Sequence, residues 1–299
     1  MIAFRRFSKS FGPQKAVSDL SFAVERGEAV ALLGPNGSGK TTTLKAAAGL
    51  LRPSSGDVRI GEPERSPWDP EARRVLSYLP QKVAFPEALT GREVVDFYRG
   101  LRGVEASRTA EALKLASLNG ASGRPVGTYS GGMVQRLGLA VAVLPDAPIL
   151  LLDEPTAALD PDGLCAFYGL VERRRRLGHT VLFTSHQLGD VERLADRFAL
   201  LVEGRLAALL TQRELADRLA QRGLLRLRLD RRPPGLLDSV RAVSAGATWA
   251  ADELVVPGPA SDRPRIIDLV RGSGVTILGL TAEEGRLDSL YRELIGTAA

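Results

Sequence analysis

The chain has 299 residues, 44% hydrophobic and 25% charged, proportions that exclude a disordered chain and suit one large domain plus a smaller one. Its net charge of +5 is not gathered into a basic block, so nucleic acid is not an expected partner. No run approaches the ~18 apolar residues of a membrane span and residues 1–11 lack a signal-peptide core, so a cytoplasmic place is expected.

Residues 2–7 and 16–24 alternate as β-structure does, and residues 28–33 form an apolar run that ends in a glycine-rich loop. A helix is expected from Lys40 to about Leu50, broken by Pro53 and Gly56, and a short strand over residues 75–79. Residues 90–143 read as helical. Residues 149–152 and 181–183 are compact apolar runs of the kind buried in parallel sheets, and strands alternating with helices argue α/β. Between them, Cys165 beside Leu164, Phe167 and Leu170 reads as a small buried hydrophobe, and Arg173 to Arg176 as a solvated helix end. Being the single cysteine, Cys165 excludes an internal disulfide, and with two histidines far away it argues against a metal cluster.

Residues 198–202 and 205–210 flank Glu203-Gly204 as a hairpin. Residues 211–221 read as a linking helix after a domain of residues 1–210. Residues 222–299 then read as a small α+β appendage: an apolar/Arg alternation over 224–229, a short helix, strands near 253–256 and 275–280, a helix over 264–271, and a closing helix over 286–295.

Two segments carry chemistry. Gly34-Pro35-Asn36-Gly37-Ser38-Gly39-Lys40-Thr41, with Thr42 next, fits G-x-x-x-x-G-K-[ST] between an expected strand and helix. Glycines there let successive N–H groups turn toward phosphate oxygens, Lys40 adds a point charge, and the Thr41 hydroxyl suits Mg²⁺. The strand over residues 149–152 ends in Asp153-Glu154, so that one acid can hold a magnesium shell while the other faces an attacking water.

With these in place, Tyr129-Ser130-Gly131-Gly132-Met133 resembles the signature of ABC ATPases. The other marks of that family fall in order: Phe11 at the adenine-stacking position, Gln81 at the Q-loop, Asp160 after Ala158-Leu159, and His186 after Thr184-Ser185. The match spans about residues 2–210. It implies a P-loop cassette with a mixed sheet core and a helical subdomain at about residues 82–143. Thr41, Gln81 and Asp153 would attend Mg²⁺, and Glu154, Gln81 and His186 would act on ATP. Two ATP molecules would lie in a head-to-tail homodimer, each between one copy's phosphate loop and the other's Ser130 and Gly132. Each residue also has a plainer reading: Phe11 as core, Gln81 as a loop amide, His186 as a capping imidazole, Asp160 as a helix start. Tyr129 and Met133 depart from the commonest Leu-Ser-Gly-Gly-Gln, and Met133 lacks the amide that would approach nucleotide.

Tyr-Ser-Gly-Gly-Met with a small C-terminal domain resembles the exporter-type (ABC-2) cassettes, and residues 286–294 are similar to the closing helix there. Such a subunit would sit peripherally on the cytoplasmic face of the inner membrane beneath polytopic permease subunits. Residues 129–140 and 161–176 resemble the subunit that serves copper delivery in nitrous-oxide reductase maturation, where copper would belong to the partners. A soluble ABC ATPase acting on ribosomes or DNA is the alternative, although this chain has neither a second cassette nor a long coiled-coil insertion.

Overall fold

Long alternating strands at the N-terminus pair with each other first. In a computed structural model that describes residues 1–157, 159–185, 188–283 and 285, β1 (Ile2–Phe11) lies antiparallel between β2 (Gln14–Val24) and a later strand. After β3 (Ala29–Leu33) come α1 (Lys40–Ala47), β4 (Ser55–Ile60), α2 (Pro70–Arg74) and β5 (Leu76–Leu79), and β4 is the second neighbour of β1. Neither β4 nor α2 was expected from the sequence. β4 is mostly polar and gains its place by pairing, and α2 is a single turn capped by Asp69, whose side chain accepts from the Glu71 N–H.

The helical stretch after Gln81 is three helices rather than one: α3 (Gly91–Arg102), α4 (Ser107–Leu115) and α5 (Gly131–Val143). Gly103 in a left-handed conformation ends α3, and Pro125 precedes a single 3-10 turn over Val126–Thr128. The chain continues through β6 (Ile149–Leu152), α6 (Pro161–Arg176), β7 (Thr180–Thr184), α7 (Leu188–Leu194), β8 (Arg197–Val202) and β9 (Arg205–Thr211). The six-stranded sheet has the order β5-β6-β7-β3-β8-β9, with β5, β6, β7, β3 and β8 all parallel. Glu203 and Gly204, both at positive φ, close the expected β8–β9 hairpin. One core unites the two sheets: Phe4, Phe7, Leu20 and Phe22 from the antiparallel one meet Val30, Leu32, Leu151 and Leu182 from the parallel one, with Leu44 of α1 among them.

On α6 two expectations fail. Cys165 is exposed, because Phe167 and Leu170 take the buried stripe of that helix. Arg174, expected in solvent, is buried, with its guanidinium donating to the Val143 carbonyl and paired with Asp146, so this face of α6 packs against the end of α5.

The chain divides into two compact units, Met1–Leu210 and a second beginning at Thr211. In the second, α8 (Gln212–Ala220) is followed by β10 (Leu224–Leu229), α9 (Leu236–Arg241), β11 (Thr248–Ala250), β12 (Glu253–Pro257), α10 (Arg263–Gly272) and β13 (Ile277–Glu283). The strands form an antiparallel sheet of order β11-β12-β10-β13, the split βαββαβ arrangement. Leu225, Leu227 and Leu229 turn inward onto Leu236, Val240, Ile266 and Val270, whereas Arg226 and Arg228 take the other face. The helix expected as a linker at residues 211–221 is α8, which groups with this unit and on which Leu215 and Leu219 are buried. The closing helix expected over residues 286–295, His186 and Ala158 lie outside the described residues.

Candidate functional site

Parallel strands deliver their C-terminal ends, and the loops that follow, to one edge of a sheet. Here β3, β5, β6 and β7 bring the phosphate loop, Gln81, Asp153-Glu154 and Thr184 to the same edge. At Gly34, φ is 152° and an added Cβ would lie 2.2 Å from the Leu201 carbonyl oxygen, so only glycine fits where the chain leaves β3. Gly39 (φ 95°) caps α1 without any side-chain acceptor, leaving the first N–H groups of the helix directed at whatever occupies the loop. Lys40 is buried, and its Nζ donates to the Gly34 and Pro35 carbonyls at 2.7 and 2.9 Å, spanning the loop from beneath. Burial lowers its pKa, with Glu154 and Asp153 opposing that shift.

The two acids differ in their surroundings. Asp153, 1% exposed, accepts from the Thr41 hydroxyl at 3.1 Å and from the Thr184 hydroxyl at 2.8 Å, both at Oδ1. Burial raises its pKa, and the two threonine bonds pull it back. Glu154 is a non-glycine residue at φ 48°, a strained conformation of the kind kept at functional sites. That turn sends its backbone N–H to Thr184 Oγ1 (2.7 Å) and its Oε2 to the amide Nε2 of Gln81 (2.9 Å). Tyr78 on β5 lies beside Asp153; burial, then the carboxylate, raises its phenol pKa. Neither Tyr78 Oη nor Asp153 Oδ2 completes a hydrogen bond of good geometry.

A cleft of about 500 Å³ opens over this edge, lined by the phosphate loop, Gln81 and Glu154, and at its far end by Phe11, Gln14 and Ala16. Phe11 is 49% exposed, which sets aside its reading as core, and Lys9 Nζ sits 5.2 Å from its ring centroid. The buried Asp153 carboxylate, whose Oδ1 takes the Thr41 hydroxyl while Oδ2 completes no hydrogen bond of good geometry, gives with that hydroxyl a set of hard oxygen donors that fits Mg²⁺ held together with phosphate oxygens.

Ser130, Gly131 and Gly132 do not line this cleft. Ser130 is exposed and caps α5, its hydroxyl accepting from the Met133 N–H at 3.3 Å. Asp160 caps α6 through the Gly163 N–H at 2.8 Å and pairs with Arg136 of α5 at 3.6 Å. Sequence reasoning passed over Gln14 and Ala16 as cleft lining, and over Tyr78 and Thr184 as neighbours of the acids. For Thr184 a signal existed: pairing the runs at 149–152 and 181–183 side by side puts Leu152 opposite Phe183, hence Asp153 opposite the next residue.

Residues 17–157 match the family model described as ABC transporter. The chain is 33% identical over 302 residues to an uncharacterized ABC transporter ATP-binding protein of Bacillus subtilis, covering 99% of each chain. It is 41% identical over 216 residues to the Nod factor export ATP-binding protein I of Burkholderia orbicola (69% of each chain) and 38% identical over 216 residues to the doxorubicin resistance ATP-binding protein of Mycobacterium tuberculosis (70% of this chain, 65% of that one). Among solved structures it resembles the ATP-binding subunit of an ABC transporter, with a TM-score of 0.66 and 29% identity over 71% of this chain and 90% of that one. It also resembles a dimeric, post-hydrolysis ATP-binding cassette bound to ADP and Pi, with a TM-score of 0.65 and 26% identity over 71% of this chain and 99% of that one.

Proposed function

Because the chain belongs to the ABC transporter family as an ATP-binding subunit and an ATPase, we propose that two copies close head to tail on two ATP molecules and thereby drive separate, polytopic permease subunits. The observation that carries this reading is the division of the site. Phe11, the phosphate loop with Lys40 and Thr41, Gln81 and Glu154 line one cleft, while the anion-ready start of α5 at Ser130 lies exposed and outside that lining. A second copy supplies what the first lacks.

Within the cleft, Phe11 stacks on the adenine, and the phosphate loop with the α1 N-terminus receives the phosphates. Lys40 releases its loop carbonyls to meet the β and γ phosphates. Thr41, Asp153 and Gln81 would hold Mg²⁺, which when bound neutralises the charge that develops on the phosphate oxygens. Glu154, fixed by Gln81 and by Thr184, orients the attacking water and accepts its proton. Thr184 touches both acids at once, so movement of β6 against β7 would disturb metal holder and base together.

No helix among the described residues is long and apolar enough to cross a membrane, and membrane-spanning permease subunits, with this chain beneath them on the cytoplasmic face, would supply the pathway. Phe97 and Leu101, 59% and 67% exposed one turn apart on α3, offer an apolar ridge for a permease loop, close in sequence to Gln81. The relatives named for Nod factor export and doxorubicin resistance favour an organic cargo moved outward. Copper delivery, the narrower cargo suggested by the sequence, draws no support from them.

The test uses Glu154→Gln, which keeps shape and hydrogen bonding while removing the base. With Mg-ATP this variant should elute as a dimer, whereas the wild type returns to monomer after turnover. Adding Ser130→Arg should abolish that dimer, since the guanidinium cannot fit where Ser130 meets phosphate. A dimer that survives Ser130→Arg would overturn the head-to-tail reading.

A further inference from the structure

The segment after Gln81 and the segment before Ser130 are stitched together through their backbones. The Gly127 N–H donates to Glu87 O (3.0 Å), Val126 N–H to Leu89 O (2.8 Å), Gly91 N–H to Arg124 O (3.3 Å) and Arg92 N–H to Ser122 O (2.8 Å), with Thr90 and Pro125 as the bridging pair. Tyr129 closes the seam. Its Oη donates to the Ala121 carbonyl at 2.7 Å, and the Gly91 N–H approaches the Oη itself.

Gly91 is the first residue of α3, and its φ is not positive, so backbone conformation does not demand glycine there. The tyrosine does. A Cβ on Gly91 would lie 2.2 Å from Tyr129 Oη and 3.1 Å from Cζ. Swinging the ring away would break its hydroxyl's bond to Ala121, while the main chain that carries it is fixed by the Tyr129 N–H on Val126 O at 2.9 Å.

We propose that Tyr129 and Gly91 form a positioning pair that sets how Ser130 is presented to the ATP held by a second copy. Tyr129 is extended (φ −81°, ψ 146°) and leads directly into Ser130, the cap of α5. Farther along α5, Gly138 lies so close to Val83 and Leu79 that a Cβ would meet them at 2.8 and 3.1 Å. Ser130 is thus held between two contacts with the segments that flank Gln81: Gly138 behind it and the Tyr129 pin in front. A leucine at position 129 would fill space but could not reach Ala121 O with a donor. The pair touches nothing in the chain's own cleft, so its effect falls on the shared interface.

This proposal rests on the head-to-tail reading, and its test separates the two. In the full chain carrying Glu154→Gln, the Mg-ATP-driven monomer–dimer constant is measured by sedimentation, and mant-ATP affinity is measured at concentrations where the chain is monomeric. Tyr129→Phe should weaken dimerisation about 3–10-fold, the scale of one net hydrogen bond, with mant-ATP affinity unchanged. Gly91→Ala should weaken it further, and Tyr129→Phe with Gly91→Ala should fall short of the sum of the two losses, because removing the hydroxyl takes away the 2.2 Å clash and leaves only the 3.1 Å approach to Cζ. Thermal melting reports whether each variant folds; if Gly91→Ala does not, Tyr129→Phe decides by its split between dimerisation and mant-ATP. Unchanged dimerisation in Tyr129→Phe, a matching loss of mant-ATP affinity, or purely additive effects in the double variant would overturn the proposal. Ser130→Arg is the control: if it abolishes the dimer while Tyr129→Phe does nothing, only the pair is refuted; if it too does nothing, the head-to-tail reading falls with it.

Discussion

The two units of this chain use similar raw material to different ends. Both mix strands and helices, and both start a helix with the same capping box, Thr90 with Glu93 in the first and Thr211 with Glu214 in the second. In the first unit, five strands run parallel, so four consecutive functional loops emerge at one edge and their side chains can meet. In the second, each strand runs antiparallel to its sheet neighbours, so β10 and β11 end at one edge and β12 and β13 at the other, and none of the candidate nucleotide-site residues belongs to it. Strand direction, more than composition, decides where chemistry collects.

The largest effect that could break this contrast is on Glu154, the proposed base. Glu154→Gln should lower ATP hydrolysis about 10²–10⁴-fold, whereas removing a charge from the second unit's sheet, as in Arg228→Gln, should leave the rate within twofold of wild type by steady-state phosphate release. A slow Arg228→Gln enzyme would mean that the second unit takes part in chemistry.

Next in size comes the far end of the cleft. Phe11→Ala should weaken ATP binding by about 1–3 kcal/mol, the worth of stacking an aromatic ring on a base, with little change in the saturated rate. Titration with a fluorescent ATP analogue checks it, and an unchanged dissociation constant would leave Phe11 without a role in binding.

The matched capping boxes allow a smaller, internally controlled comparison. Thr90→Ala and Thr211→Ala should each cost about 1 kcal/mol of local stability, the first lowering ATP-dependent dimerisation and the second leaving it alone. Glu93 and Glu214 both have depressed pKa values, caused first by the backbone N–H of their capping threonines. A depressed carboxylate contributes stability that is present above its unfolded pKa and lost as pH falls through its folded value. Both caps should therefore weaken below the ordinary carboxylate range, and melting scans of the alanine variants should lose that acid dependence.

Smallest of all should be the effect of removing the second unit. A chain ending at Thr211, which also removes Leu215 and Leu219 of α8 and so exposes no orphaned apolar stripe, should fold and keep its basal ATPase activity. Loss of hydrolysis in a folded, monodisperse truncation would erase the contrast drawn above.

Much of the site was legible because it is local. The glycine-lysine loop, the strand ending in Asp153-Glu154 and the capped start of α5 each depend on residues within one turn or one strand end, and local steric rules write themselves into composition. The β8–β9 hairpin was readable for the same reason, since Glu203 and Gly204 sit at its two turn positions. What spans the chain was not readable. Arg174 looks like one of four solvated arginines until the end of α5 covers it, and the three residues of β11 are too few to show alternation, so the strand order of the second sheet emerges only on pairing.

By itself the sequence determined the phosphate loop, the identity of both acids, the alternation of strands and helices and the presence of a smaller C-terminal part, because each is specified by neighbours along the chain. Only the tertiary structure decided that Thr184 bridges the two acids, that Gln81 reaches Glu154, that Phe11 stands open to the cleft and that Tyr129 claims the space a side chain on Gly91 would need. These contacts join residues distant in sequence, and their geometry follows from strand register and helix packing, which no local pattern encodes.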